Sequence, residues 1–377
     1  MRVLIALDKF KDALSARAAG EVAAAAVRAR HPDWTVDVCP LTDGGEGFSA
    51  TLTDAAGGHS ETFQVTGPRG GLVPAPIGVV SGHRLPAAAR RRLPVDGAVA
   101  VLDLASASGI GLVAPADRDP WHASTLGTGE LMRHAARRSP GALLLGVGGS
   151  ATNDLGLGAL AALGFCFLDA GGAPIAAPTP ATWGRIARVD AGGRNPLPPI
   201  FIACDVTNPL LGPRGATATF GPQKGLKAAD LPRLEAQAAR MADLMGAACG
   251  RSRALAEAPG TGAAGGIPFG LMAAYGATIL PGFELVADWL DLPARIAAAD
   301  IVITGEGRFD ATSLGGKGPG SLLAEARRLG KRALVFAGSL GVPPGEGLHA
   351  ITPAGLPLAE ALPRTADFLA AAIGRAL

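Results

Sequence analysis

Residues 2–7, RVLIAL, form a short aliphatic run that ends in charge at Asp8. SARAAGEVAAAAVRAR follows at helical spacing, and TVDVCPL then gives a second apolar run. This strand, helix, strand order is the strongest constraint on the fold, because a helical crossover lets the two strands pair only in parallel and lays helices on the sheet. Ser15 stands where it can cap the helix, and Ala18, Val22, Ala26 and Ala29 fall on one face at helical spacing. The other end of the chain repeats the grammar. ADIVITGEG at 299–307 and KRALVFAGSL at 331–340 are continuous apolar runs, as expected of strands covered on both faces, and LHAITPAG reads as a third.

Between these ends the sequence is richer in Pro and Gly. TGPRGGLVPAPIGVVSG and DAGGAPIAAPTPATWG read as hairpins or loops. A chain of 377 residues is also longer than one core usually grows. The expected architecture is an α/β protein of two domains: a parallel-sheet domain from 1–66 plus 281–377, and an inserted mixed α/β domain at 67–280. Residues 120–165 are assignable to either, and the active site is expected in the cleft between the domains.

Charge and motif exclude several function classes. Lys and Arg number 34 against 32 Asp and Glu, and no basic run is interleaved with aromatics, so nucleic acid is not an expected partner. The RRR run at 90–92 reads as a solvated face. The four cysteines form no C-x-x-C pair and the histidines no H-x-x-x-H pair, which removes the common zinc signatures and a disulfide framework. Two long stretches carry little charge, 139–168 and 259–283, but glycines and prolines interrupt them, so buried α/β segments are expected and no membrane partner. The apolar run before Asp8 is too short for a secretory signal, which leaves the cytoplasm as the expected location.

Five segments share one form, an apolar run followed by glycines mixed with Asp, Glu, Asn or Lys. They are ALDKFKDALSA, PLTDGGEGF, LLLGVGGSATND, FIACDVTNPLLG and IVITGEGRFD. An Asp after a strand is often only a helix cap or an Asx-turn. Five such segments together point instead to one composite site at the carboxyl ends of strands.

Two phosphate motifs can be tested against spacing. SLGGKGPGS around Lys317 lacks the early glycine and the hydroxyl of a P-loop, since Ala311 and Gly318 hold those places. GTGAAG at 260–265 fits a dinucleotide fingerprint literally, yet a proline-ended helical stretch precedes it where a strand is required. Acidic residues, lysines and glycine loops without a catalytic His or Cys suit phosphoryl transfer, which needs positioning and positive charge more than covalent help. The rivals are an NAD(P)-dependent oxidoreductase and a non-catalytic small-anion binding protein.

DKFKDALSA, TDGGEGF, GVGGSATND, CDVTNPLLGPRGA, FGPQKG, GTGAAGG, ITGEGRFDATSLGGKGP and AGSLG, taken in order, resemble the bacterial type I glycerate kinase family along nearly the whole chain. The resemblance implies a flavodoxin-like parallel-sheet domain beside a second domain, with ATP as phosphoryl donor, D-glycerate as acceptor and Mg²⁺ as nucleotide partner. Transfer to the 2-hydroxyl is implied, with the 3-hydroxyl or a related hydroxy acid as alternatives. The chain departs from the family pattern at Asp12, Thr42, Phe48 and Leu155, the last standing where glycine is common.

The candidate roles follow. Asp205 is the first candidate for the base, with Asp43 second, and Lys11 is grouped with them as a catalytic cation. Asp8, Lys9, Glu306, Arg308, Asp310 and Lys317 are candidates to bind substrate, Arg308 because a planar guanidinium matches a carboxylate. Gly148, Gly149, Ser150, Thr152, Asn153, Asn208 and Lys224 are candidates for the nucleotide phosphates, and Asp154 and Asp205 for the metal.

Overall fold

The computed structural model of the chain describes residues 1–314, 318–343 and 345–377. Numbered along the chain, its strands are β1 (Arg2–Leu7), β2 (Thr35–Val38), β3 (His59–Thr66), β4 (Leu72–Ser81), β5 (Ala98–Asp103), β6 (Ala142–Gly146), β7 (Cys166–Leu168), β8 (Arg188–Asp190), β9 (Ile200–Ala203), β10 (Thr278–Leu280), β11 (Ile301–Phe309), β12 (Arg332–Leu340) and β13 (Leu348–Ala350). They fall into two compact units, residues 1–43 with 286–377, and residues 44–285.

The first unit is a parallel sheet in the order β2-β1-β11-β12-β13. Counted within the unit this is the flavodoxin-like order 2-1-3-4-5, in which the sheet grows one way from β1 to β2 and the other way from β11 onward. Val3 to Leu7 are wholly buried, which explains why the run shows no polar alternation. The helices Ala16–Arg30 and Thr365–Ala376 bury their alanines and aliphatics against one face, and Leu323 of the helix Gly318–Arg328 packs with Phe309, Val335 and Ala337 on the other.

The Ser15 side chain accepts a hydrogen bond from the Ala18 amide at 3.2 Å, as its place before the helix predicted. The most deeply buried face is Ala16, Ala19, Gly20, Ala23, Ala24 and Val27, while Val22 and Ala26, of the face read from spacing, are partly buried against the same core. In so alanine-rich a helix neighbouring faces differ little in hydrophobicity, so the pattern fixes the helix but not its rotation.

The second unit contains the mixed sheet β10-β9-β6-β5-β4-β3. β5, β6, β9 and β10 are parallel, while β3 and β4 form an antiparallel hairpin and β4 pairs antiparallel with β5. The hairpin closes through Gly67 and Gly71, with Gly70 in the left-handed region at φ +93°. A short ribbon, β7-β8, stands apart from the sheet. The core joins Leu143, Leu145 and Ile202 of the sheet to Leu131 and Met132 of the helix Leu126–Ala136 and Met241 and Met245 of the helix Leu231–Cys249. Residues 44–66, grouped by sequence with the terminal domain, contribute a helix (Phe48–Ala55) and β3 to this unit, and 120–165 lie within it. Among the described residues no helix is long and apolar enough to cross a membrane.

Candidate active site

In the first unit the ends of β1, β2 and β11 gather acidic residues. Backbone pairing of the β2 segment with β1 continues beyond Val38, since the Cys39 and Leu41 amides donate to Ile5 and Leu7. This brings Asp43 to Lys9, whose Nζ lies 3.1 Å from Asp43 Oδ1. Asp8 is only 7% exposed. Its amide donates to the Gly305 carbonyl of β11 at 2.9 Å, and its Oδ1 accepts from the Lys9 amide at 2.6 Å. Burial, reinforced by the charge of Asp43 and to a smaller extent Glu306, pushes the Asp8 carboxyl up to about 7, against the opposing pull of Lys9.

Further along β11, Arg308 is 70% exposed and its Nε lies 3.3 Å from Asp310 Oδ2. Asp310 Oδ1 accepts from both the amide and the hydroxyl of Thr312, which hold its pKa below the usual range. Asp310 is thus at least in part a cap for the short helix that begins at Ala311. Lys11 lies on the exposed turn after β1, beside Asp12 in the left-handed region at φ +61°. Lys317 lies outside the described residues.

In the second unit three strand-end loops meet through glycine. The Gly148 amide donates to Gly44 O at 2.9 Å. A β-carbon on Gly148 would lie 2.7 Å from Gly45 Cα, and one on Gly146 would lie 2.5 Å from Gly44 O. Only glycine permits backbones to approach so closely, which explains why TDGGEG and GVGGS both carry glycine pairs. Gly44, at φ +86°, also faces the Ala203 carbonyl at the end of β9.

Beyond Gly149 the chain enters a buried polar loop. Lys224, 2% exposed, donates from Nζ to Ser150 Oγ at 2.8 Å and to Thr152 O at 2.6 Å. Burial pushes its pKa down to about 7, while the charge of Asp154 pulls it back up. Lys224, the candidate for a phosphate, uses two of its three donors to brace this loop. Asp154, proposed from sequence as a metal ligand, is completely buried and accepts from the Thr125 amide and hydroxyl and from the Gly156 and Gly158 amides. Burial raises its pKa and these four donors lower it. Four donors nearly exhaust the lone pairs of a carboxylate, so the geometry makes Asp154 the organiser of the turn and not an open ligand.

Two atoms of this loop, Thr152 Oγ1 and Asn153 Oδ1, are buried without a hydrogen-bond partner among the described residues, although Asn153 Nδ2 reaches Thr217 Oγ1 at 3.3 Å. A polar ligand or ordered water at Thr152 would meet a demand the fold leaves open. Leu155 adopts φ +55° with its side chain in the core, so the turn that glycine commonly makes is kept here in spite of the side chain.

Asp205 follows β9, and its Oδ1 accepts from the Phe283 amide at 2.9 Å. Asn208 is used locally, its Nδ2 donating to Arg214 O at 2.7 Å. The GTGAAG glycines pack against these loops: Gly262 donates to Asn208 O at 3.0 Å, and a β-carbon on Gly265 would meet Thr152 O at 2.1 Å. A 3₁₀ turn, Arg253–Glu257, precedes them in place of the strand that a dinucleotide fingerprint needs.

One buried carboxylate escaped the sequence reading. Asp103 ends β5 and accepts from the Ser106 amide at 2.8 Å and the Ser49 amide at 3.3 Å, tying two helix starts together. Burial raises its pKa. The signal was present, an Asp closing AVAVLD before LASAS, in the same form as the five segments chosen. Among the described residues no three His, Cys, Asp or Glu side chains converge into a group that could hold a metal.

The family model for the glycerate kinase family matches residues 3–375. A glycerate kinase of Bacillus subtilis (strain 168) is 35% identical over 98% of this chain and 95% of its own. A glycerate 2-kinase of Escherichia coli (strain K12) is 36% identical over 90% of this chain and 86% of its own. The crystal structure of a Salmonella typhimurium LT2 protein assigned as glycerate kinase 2 superposes with a TM-score of 0.78 at 36% identity, covering 100% of this chain and 97% of that one. With its parallel sheet, its glycine-paired strand-end loops and these relatives along its full length, the chain belongs to the glycerate kinase family.

Proposed function

We propose that the protein transfers the γ-phosphoryl group of ATP to D-glycerate and that the product is 2-phosphoglycerate. The observation that carries the reading within the molecule is the packing of Gly44 and Gly45 on Gly146 and Gly148, which sets the polar turn 149–154 at a strand end, with the Thr152 hydroxyl lacking a partner among the described residues. Gly149, the exposed residue of this turn, lets a phosphate approach the backbone closely, while Thr152 lies buried behind it. Lys224 contributes by holding the turn and its positive charge from beneath. Lys9, Lys11 and Arg308 are the cations we assign to the carboxylate of the acceptor and to phosphate charge.

The residues also suit Mg²⁺ in its usual manner. Magnesium is held by one or two carboxylates with the rest of its shell from phosphates and water, so the absence of a three-residue cluster among the described residues accords with it. We assign Asp205 to this ion, because Asp154 is enclosed by its own donors. When bound, the ion would neutralise charge on the β- and γ-phosphates. Free thiols at all four cysteines and a dependence on ATP suit the cytoplasm, where we place the reaction.

The test is purified protein with ATP, Mg²⁺ and D-glycerate, with ADP release followed continuously and the product assigned by phosphorus–proton coupling. Release of ADP with the phosphate on carbon 2 is expected. A 3-phosphate product overturns the regiochemistry, and turnover only with a different hydroxy acid overturns the substrate.

A further inference from the structure

We infer that Asp8 is the base that receives the proton of the acceptor hydroxyl, a role for which Asp205 is the first candidate by sequence. The inference rests on the proposed kinase reaction and names the residue that serves it.

The topology supplies the location. In the first unit the direction of strand addition reverses between β1 and β11, and ligands of open α/β sheets bind outside the carboxyl ends of strands at such a reversal. Asp8 immediately follows β1, and its amide is fastened to Gly305 O of the neighbouring β11. The side chain is equally fixed, since Oδ1 accepts from the Lys9 amide at 2.6 Å. The second oxygen, Oδ2, accepts no hydrogen bond among the described residues. The described residue nearest that oxygen from the facing helix Gly318–Arg328 is a glycine, Gly318, on which a β-carbon would stand 3.8 Å from Oδ2, in ordinary contact.

A buried carboxylate with one oxygen unused is a poor structural device. Ionised, it is destabilised by desolvation, and among the described residues the charged groups that act on it are Lys9, Asp43 and Glu306, two of them of its own sign. An asparagine could keep the Lys9 amide contact without that penalty. The same surroundings make a good base: they set the proton affinity of Asp8 near the operating pH, where a group is both ionised often enough and basic enough to act. Asp205 also has one oxygen engaged, by the Phe283 amide at the start of the helix Gly282–Trp289; what sets Asp8 apart is its place beside the strand reversal, since the sheet that leads to Asp205 adds its strands in one direction from β3 to β10.

The step balances without a further reactant. The O–H bond of the acceptor breaks and its proton passes to Asp8 Oδ2. The hydroxyl oxygen forms a bond to the γ-phosphorus of ATP, the bond from that phosphorus to the β,γ-bridging oxygen breaks, and ADP leaves.

The experiment compares wild type, Asp8→Asn and Asp205→Asn in kcat, in kcat/KM between pH 5.5 and 9, and in melting temperature at pH 8. For Asp8→Asn we expect kcat to fall by about 10²-fold or more, the size of a lost general base. We also expect the acid limb of the wild-type profile near pH 7 to vanish from the residual rate, and a melting temperature equal to or above that of wild type. Turnover of Asp8→Asn within about threefold of wild type, or an acid limb that persists in it, overturns the inference. A variant that melts well below wild type also overturns it, by making Asp8 structural. Loss of the acid limb in Asp205→Asn with its survival in Asp8→Asn returns the role to Asp205. If wild type itself releases no ADP with any hydroxy acid, the kinase reading fails before Asp8 is in question.

Discussion

The ammonium of Lys224 lies 2.6 Å from the carbonyl oxygen of Thr152, although 72 residues separate the two in sequence. A lysine this deeply buried is tolerated because that carbonyl and the Ser150 hydroxyl receive its protons and Asp154 opposes its charge. Lys224→Met keeps the volume of the stem but leaves these groups unanswered. It is expected to lower stability by about 3 kcal/mol, as when one partner of a buried charged contact is removed. The midpoint of urea unfolding at constant slope measures this.

Asp154 and Asp205 should separate cleanly. Asp154→Asn replaces one acceptor oxygen by a donor that faces a backbone amide, with an expected loss of about 2 kcal/mol in unfolding free energy. The Mg²⁺ concentration giving half the maximal rate should not change. Asp205→Asn should raise that concentration about tenfold or more, as expected on removing a metal-ligating carboxylate. A magnesium titration of both variants at saturating ATP gives the comparison.

Gly148→Ala probes the glycine pairing. Its β-carbon would stand 2.7 Å from Gly45 Cα, a backbone atom that cannot rotate away. Overpacking of this kind costs about 1–3 kcal/mol, and the strand-end loops should part with a matching fall in turnover. Gly184→Ala, where a β-carbon meets nothing within 4 Å, is the control expected to melt like wild type.

These cases show what sequence could carry. The terminal parallel sheet was legible because its central strands, β1 and the first half of β11, are buried on both faces and therefore read as unbroken apolar runs. The glycine loops were legible because close backbone approach admits no other residue. The roles of Asp154 and Lys224 were not, since their partners Thr125 and Ser150 lie 29 and 74 residues away and nothing local announces the contact. A buried Asp and a metal-binding Asp look alike at a strand end until their donors are known. Asp103 shows the converse, a carboxylate with the expected form that serves to join two helix starts.

The elevated pKa of Asp8 also governs stability. Its carboxyl titrates near 7 in the folded protein against 3.8 for the ordinary side chain, so the fold favours the protonated form. Its favourable contribution is complete below about pH 4 and is lost as pH rises through 7. The stability of Asp8→Asn relative to wild type is therefore expected to increase between these limits and level off above them. Denaturant melts of both proteins at pH 4.5, 6 and 8 supply the difference, in which the other titrating groups cancel.

Leu155 carries two opposed effects. Its φ of +55° is strained for a side chain of this kind, while that side chain is 1% exposed in the core. Leu155→Gly relieves about 1–2 kcal/mol of backbone strain. Removal of a buried leucine side chain outweighs it at about 2–5 kcal/mol. A net fall in melting temperature is expected, smaller than that of Leu145→Ala, a core strand position where no strain is released.

The pairing of β1 with β11 has a consequence for synthesis on the ribosome. Thr304 donates its hydroxyl to the Ala6 carbonyl across 298 residues, and β1 has no inner neighbour until that part of the chain exists. At about 5–20 residues per second, β1 and β2 wait some tens of seconds while residues 44–285 emerge, a span that already holds every strand of the mixed sheet. The nascent protein therefore carries the exposed aliphatic strand β1 while its second sheet is complete, and the interval in which a chaperone would be needed is set by the length of the insertion.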